Sequence, residues 1–413
     1  MLFPKNPFPA PPPRVVITGA GIVTSLGQSW KPNAAAFRAG KTGFRPVTHF
    51  DVSQQRVKTA AVVDLPAMLP ATQLTERQKK RLDRASIMLL LAAHEAWQQS
   101  GWETSNHLPV VLGTTAGGMT IGEEYFRQAV NLPHHHKGQP TRVLHYQSHF
   151  QARMVLDALG FAGPITIISN ACASGTSAIG EAWEMIRRGQ TDRVLTGGYD
   201  ALSQMVFSGF DSLQTLSPTG CRPFDSKRDG LAMGEGAAVL TLETFETARQ
   251  RGAGILGEII GYGTSIDRHH LTQPHPEGDA ARQAMQSACT SAQVTANDID
   301  YINAHGTGTP LNDQAEAKAI SRWAGNRVGN LPVSSTKAGI GHLLGGAGSV
   351  EAVVCLMCLR EQWLPPELAF ETPDPACAFR IVTRPEDAPV KVVLSNSFGF
   401  GGVNASLILR RWS

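Results

Sequence analysis

Cys172 lies in Ser169-Asn170-Ala171-Cys172-Ala173-Ser174-Gly175, a run of small residues that leaves room for a substrate to reach sulfur. Pro164 to Ile168 before it is rich in β-branched residues and reads as a buried strand. After it, Ala178, Ile179, Ala182, Trp183 and Ile186 fall at helical spacing over 173–188, with Gly189 placed to end the helix. The sulfur thus falls where a strand gives way to a helix. A helix N-terminus carries about half a positive charge and unpaired N–H groups, which predicts a stabilised thiolate nucleophile. An arbitrary cysteine is more often a small buried apolar residue. The other five cysteines keep that reading, including Cys355 and Cys358 on an apolar helix over 353–359.

Two histidines occupy similar junctions. His305 lies in Asn303-Ala304-His305-Gly306-Thr307-Gly308-Thr309-Pro310, directly after an apolar strand, and Thr307 and Thr309 offer hydroxyls suited to the amides of an extended ligand. His342 follows Ser334-Ser335-Thr336-Lys337-Ala338-Gly339-Ile340-Gly341 and precedes a second glycine-rich turn. Either histidine alone has a structural reading. Cysteine, lysine and two histidines all at strand ends point instead to nucleophilic and oxyanion chemistry.

The elements that must position these groups are those of a layered α/β protein. Arg14 to Thr18 reads as a strand entering Gly19-Ala20-Gly21, which lacks the third glycine of a dinucleotide fingerprint and is taken as a tight turn. A helix with a basic start is predicted over 77–99, a short strand at Val110 to Gly113, and an irregular excursion over 114–150. That excursion contains His134-His135-His136, read as a surface loop and not as a metal site. Ile168 to Gly175 lines up with Leu394 to Gly401, which predicts an internal duplication. Its boundary is placed near Gly254, giving halves 14–254 and 255–413, the second opening with a strand at Ile255 to Ile260.

Composition narrows the class. In 413 residues, 42% are apolar and 17% charged, enough to fill a sizeable core and exclude a disordered or collagen-like chain. A net charge of +3 is too balanced for a nucleic-acid partner. Six cysteines in a chain this long make no disulfide framework, which favours a reducing, cytoplasmic compartment. No apolar run approaches the roughly 18 residues of a membrane span. Met1 to Pro13, with its prolines and no apolar stretch, reads as an extended, semi-rigid tail and not as a secretory signal.

These motifs resemble those of the β-ketoacyl-acyl carrier protein synthases, condensing enzymes of the thiolase fold, in their elongating type II form. The similarity runs from Val15 to Leu407 through the Cys172 turn, N-A-H-G-T-G-T at His305, S-S-T-K and G-H-L-L-G at Lys337 and His342, and N-S-F-G-F-G-G at Phe400. The resemblance implies a five-layered αβαβα fold of two similar halves, usually a homodimer. It implies an acyl chain held on Cys172 and extended by decarboxylation of a malonyl group on acyl carrier protein, with no metal or redox cofactor. His305 and His342 would stabilise the oxyanion and Lys337 would orient them. The backbone N–H groups of Cys172 and Phe400 would form the hole for the tetrahedral intermediate. Phe400 would gate the acyl pocket, although a static core ring is the alternative. Phe398 and Ala116 would contact substrate, and the small Ala116 predicts a wider pocket for a longer or unusual primer. Glu351, with Asn303 and Asn396, would hold an ordered water or a monovalent ion, unless Glu351 is an ordinary helix-surface glutamate. Arg77, Lys80 and Arg81 would meet an acidic carrier protein, unless they are a solvated face.

Phe398 and Phe400 stand where a degradative thiolase has its second cysteine, and His342 stands where initiating synthases that use coenzyme A primers have asparagine. A non-catalytic chain-length subunit lacks the nucleophile that Cys172 provides. A specialised polyketide or polyene pathway stays open beside fatty acid elongation.

Overall fold

Five strands of each half run in matched order across an eleven-stranded sheet. Residues 12–131 and 140–412 are described in a computed structural model of the chain. His134-His135-His136 and residues 1–11 of the proline-rich tail lie outside the described residues. From one edge inward the first half runs Ile165–Ile168, Val110–Gly113, Arg193–Asp200, Gly236–Thr244 and Val15–Val23. Outward from there the second runs Gly257–Ile266, Val403–Arg411, Val392–Phe398, Tyr301–Asn303 and Pro332–Ser334, with Arg380–Ile381 as a final edge. The halves join through a short antiparallel contact, Val15 to Ile17 against Gly257 to Ile259.

Helices Ser174–Arg187 and Ala347–Glu361 pack on one another and touch strands of both halves, forming the middle layer. Ala347–Glu361 is buried around nearly its whole circumference, as a helix covered on every side must be. Arg84–Ser100 covers the outer face of the first half, and Asp279–Ala292 with Pro310–Ala324 covers the second. The order is therefore helix, sheet, helix, sheet, helix, the five-layered architecture that the resemblance implies.

Three local expectations change. Gly19 and Gly21 lie inside the strand Val15–Val23 and form no turn. A Cβ on Gly19 would sit 2.1 Å from the Ala96 carbonyl oxygen, and one on Gly21 would sit 1.9 Å from that of Ala92. The glycines let a helix backbone rest directly on the strand. The helix predicted over 77–99 is two: Thr75 caps the single turn Glu76–Lys79, and the Asp83 side chain accepts the Ser86 N–H to start Arg84–Ser100. The described residues of 114–150, namely 114–131 and 140–150, are not irregular. They include helices Met119–Asn131 and Pro140–Tyr146 and enter His149–Leu159, whose Ala152, Val155, Leu156 and Leu159 are buried in one apolar cluster with Arg84–Ser100. Glycine, histidine and proline content masked that helical spacing.

The repeat itself is present, but in a different register. By its place in the sheet, the counterpart of Ile165–Ile168 is Pro332–Ser334, and that of Val392–Phe398 is Arg193–Asp200. The short match between the Cys172 and Phe398 segments arises because two non-equivalent strands end in small residues beside the same cavity.

Candidate active site

Cys172 is carried by a single 3₁₀ turn, Ala171–Ala173, that runs into Ser174–Arg187. Ala171 takes φ of 57°, a left-handed conformation that costs an alanine about 1–3 kcal/mol. Ser174 holds the turn, its hydroxyl donating to the Ala171 carbonyl at 2.6 Å and accepting the Asn170 N–H at 3.0 Å. The expected thiolate is corrected here. Cys172 is 7% exposed, and burial pushes its thiol up to about 11. The Lys337 charge and the N–H groups of Phe400 and Cys172 itself pull the other way without overcoming desolvation. Those two N–H groups point at sulfur from two separate segments. Gly399 makes the approach possible, since a Cβ there would lie 3.0 Å from the Asn170 oxygen and 3.4 Å from the Cys172 nitrogen.

His305 and His342 stand edge to face with ring centres 5.4 Å apart. Burial and the Lys337 charge hold both imidazoles well below their usual pKa, and His342 lowers His305 further, so both are neutral. The Leu344 N–H donates to His342 Nδ1 at 3.1 Å. That bond fixes the proton on Nε2 and makes it a hydrogen-bond donor. Gly341, at φ 69°, allows the turn, because a Cβ would meet the Met233 carbonyl oxygen at 2.5 Å. Lys337 is buried as well. Its ammonium pairs with the Glu351 carboxylate and donates to the His305 carbonyl at 2.7 Å.

Cys172, His305 and His342 line one cavity of about 400 Å³ together with Thr307, Thr309, Phe398 and Phe400. The Thr307 and Thr309 hydroxyls are 2.9 Å apart. Phe398 lies 5.7 Å from the His305 ring, and Phe400 stacks on Phe210 at 6.0 Å. Gly401 and Gly402 follow Phe400 with φ of 82° and 83°. Ala116 does not line this cavity. It is buried in an adjoining apolar cluster with Phe207, Leu216 and Leu344.

Glu351 is buried, not on a helix surface, and its partner is Lys337. Asn396 donates to Glu316 at 3.2 Å and accepts from Ser406 at 2.7 Å. Asn303 Oδ1 and Glu351 Oε2 are buried without a hydrogen-bond partner among the described residues. Arg77, Lys80 and Arg81 are exposed, on the capped turn and the link that follows it.

Sequence reasoning missed two carboxylates. Glu316 accepts the N–H groups of His305 at 2.9 Å and Gly306 at 2.8 Å, and Asp313 accepts that of Thr307 at 3.1 Å. Burial raises Glu316 to about 7. Their signal was three-residue spacing on one face of a helix that starts directly after the His305 loop.

A buried thiol beside two neutral imidazoles, on the middle layer of an αβαβα fold, defines the thioester-condensing class. The "Beta-ketoacyl synthase, N-terminal domain" model matches residues 13–248, and the "Beta-ketoacyl synthase, C-terminal domain" model matches 256–371. The chain belongs to the beta-ketoacyl synthase family. It is 36% identical to a 3-oxoacyl-[acyl-carrier-protein] synthase 2 of Staphylococcus aureus (strain COL), over 97% of this chain and 98% of that protein. Against a solved beta-ketoacyl synthase from Burkholderia phymatum STM815 the TM-score is 0.88 at 35% identity, covering 97% and 100% of the two chains. Against the ishigamide ketosynthase/chain length factor it is 0.91 at 31% identity, again covering 97% and 100%.

Proposed function

We propose that the protein is a β-ketoacyl-acyl carrier protein synthase, which lengthens an acyl chain held on Cys172 with two carbons from malonyl-acyl carrier protein. The observation that carries this is a single cavity lined by the Cys172 thiol and both neutral imidazoles. In the first half-reaction the Cys172 sulfur attacks the acyl thioester, its proton passes to the departing carrier thiol, and the Cys172 and Phe400 N–H groups meet the tetrahedral oxyanion. In the second, the malonyl carboxylate leaves as carbon dioxide while His305 and His342 donate to the enolate oxygen. Each such donor contributes about 3–4 kcal/mol to the rate. The carbanion equivalent then attacks the Cys172 thioester and expels the thiolate, which takes up one proton from water to restore the resting thiol. Phe400 gates the acyl pocket, Thr307 and Thr309 hold the carrier's arm, and Phe398 and Ala116 shape the acyl side. The halves divide at 254/255.

Asn303 Oδ1 and Glu351 Oε2, both orphaned acceptors, suit an ordered water or monovalent ion; the Asn396 amide is taken up elsewhere. The exposed Arg77, Lys80 and Arg81 suit the acidic carrier protein; a solved relative is described as a type II PKS acyl-carrier protein in complex with its ketosynthase. A homodimer is supported by two features that have no partner among the described residues. One is the free edge of Ile165–Ile168; the other is a groove of about 910 Å³ with Phe126, Val143 and Met205 exposed on its lining. Six free cysteines favour the cytoplasm. A specialised polyketide or polyene pathway is the second reading, favoured by the ishigamide relative.

The test is intact-protein mass spectrometry with acyl carrier proteins of graded chain length, followed by malonyl-acyl carrier protein. Acylation at Cys172 and release of a product two carbons longer are expected. An acylated Cys172→Ala variant overturns the nucleophile.

A further inference from the structure

Asp200 ends the strand Arg193–Asp200 fully buried, and none of the steps above uses it. Its two carboxylate oxygens collect donors from two distant segments. Oδ1 accepts the Thr114 hydroxyl at 2.6 Å and the Ala116 N–H at 2.8 Å. Oδ2 accepts the Thr115 N–H at 2.9 Å and the Gly345 N–H at 2.6 Å. Gly345 directly follows Leu344, whose N–H fixes the His342 ring. Thr115 in turn donates its hydroxyl to the Ala171 carbonyl at 3.1 Å, next to Cys172. One carboxylate therefore clamps the Ala116 and Cys172 side of the site to the His342 turn.

The glycines show how tightly the two segments are closed. A Cβ on Gly345 would lie 2.6 Å from the Thr115 nitrogen and 2.7 Å from the Thr114 carbonyl carbon. One on Gly198, two residues before Asp200, would lie 3.0 Å from the Gly113 oxygen and 3.1 Å from the Gly345 oxygen. Of the uncharged side chains of this shape, none accepts at both ends; an ionised carboxylate does.

We infer that Asp200 is a positioning residue for carbon–carbon bond formation, setting the distance between the acyl thioester on Cys172 and the malonyl carbon activated at His342. This rests on the reading under Proposed function. Acylation needs only the Cys172 side and decarboxylation only the histidine side, whereas condensation needs both at the right separation. A displacement of about 1 Å is enough to cost about 100-fold in such a step.

The experiment compares wild type, Asp200→Asn and Asp200→Glu as full-length enzymes with acyl- and malonyl-acyl carrier proteins. An amide accepts at one end only, so in either orientation the Ala116 or the Gly345 N–H loses its partner and the clamp opens. Expected for Asp200→Asn is a condensation kcat lower by about 10–100-fold, with Cys172 acylation, malonyl decarboxylation by unacylated enzyme and KM for malonyl carrier each within about threefold. Asp200→Glu, which keeps both acceptors, recovers about tenfold of the lost kcat. If Asp200→Asn fails to fold, Gly345→Ala wedges the same gap and is expected to give the same split. Equal losses in all three reactions, or unchanged condensation, overturn the inference. Absence of condensation in the wild type instead removes the functional reading beneath it.

Discussion

Lys337 lies between the Glu351 carboxylate and the His305 carbonyl, its ammonium 2.7 Å from that oxygen and fully enclosed by protein. One cation thus holds the His305 loop and lowers the pKa of both imidazoles. Its carboxylate partner, Glu351, comes from the helix Ala347–Glu361.

Breaking that pair should be costly. Removing one partner of a buried ion pair leaves an uncompensated charge worth about 3–5 kcal/mol. Glu351→Ala is expected to lose stability in that range by denaturant unfolding. A loss under about 1 kcal/mol, the size typical of an exposed pair, would mean that solvent reaches Lys337.

The thiol should behave as a buried acid near pH 11. Its alkylation by iodoacetamide, followed by mass spectrometry, is expected to speed up about tenfold per pH unit between pH 7 and 10, since only the thiolate reacts. Lys337→Met removes the nearest favourable charge and should slow alkylation at every pH. A plateau below pH 8 is incompatible with this account.

The neutral histidines have a sign that can be checked. Their native pKa is depressed, so below pH 6.5 the unfolded chain binds protons that the native state refuses. Their contribution is in place above pH 6.5 and is lost as pH falls, by up to about 1.4 kcal/mol per unit for each ring. Glu316 and Asp200, raised to about 7 and about 6, act oppositely and lose stability as pH rises through those values. A difference isolates one ring. The unfolding free energy of wild type minus that of His342→Gln should shrink by about 1.4 kcal/mol from pH 6 to pH 5. A difference independent of pH counts against a neutral His342.

Gly399→Ala tests the oxyanion donors. The new methyl group meets the Asn170 oxygen at 3.0 Å and the Cys172 nitrogen at 3.4 Å, moving the Phe400 N–H away from sulfur. Losing one such donor typically costs about 100–1,000-fold in kcat. Acyl-transfer kinetics near wild type would show that the Phe400 N–H has no part in the reaction.

Ala116→Ile fills the apolar cluster beside Phe207 and Leu344. Overpacking is expected to cost about 1–3 kcal/mol and to shorten the longest acyl group that Cys172 accepts. Acylation rates against chain length matching those of the wild type remove Ala116 from the acyl pocket.

The local grammar was largely legible in the sequence. The β-branched run before Cys172, the small residues around it, the Gly/Thr loop at His305 and the glycines after Lys337 are short-range patterns, and each placed its residue at the end of a strand. Long-range facts were not legible. Gly19 and Gly21 read as a turn because nothing nearby announces that Ala92 and Ala96 will lie against them. The repeat was drawn in the wrong register because strand order, not string similarity, decides equivalence. Helix dipole and spacing predicted a thiolate at Cys172, but protonation depends on desolvation by both halves, which raises the thiol to about 11. Glu351 and Asp200 are likewise ordinary acids in sequence. Only the folded chain encloses them, one against a lysine fourteen residues away and the other against backbone N–H groups on two segments. Chemistry that depends on residue type and neighbours was therefore determined by the sequence, while charge state and spacing were decided by burial and by contacts across the layers.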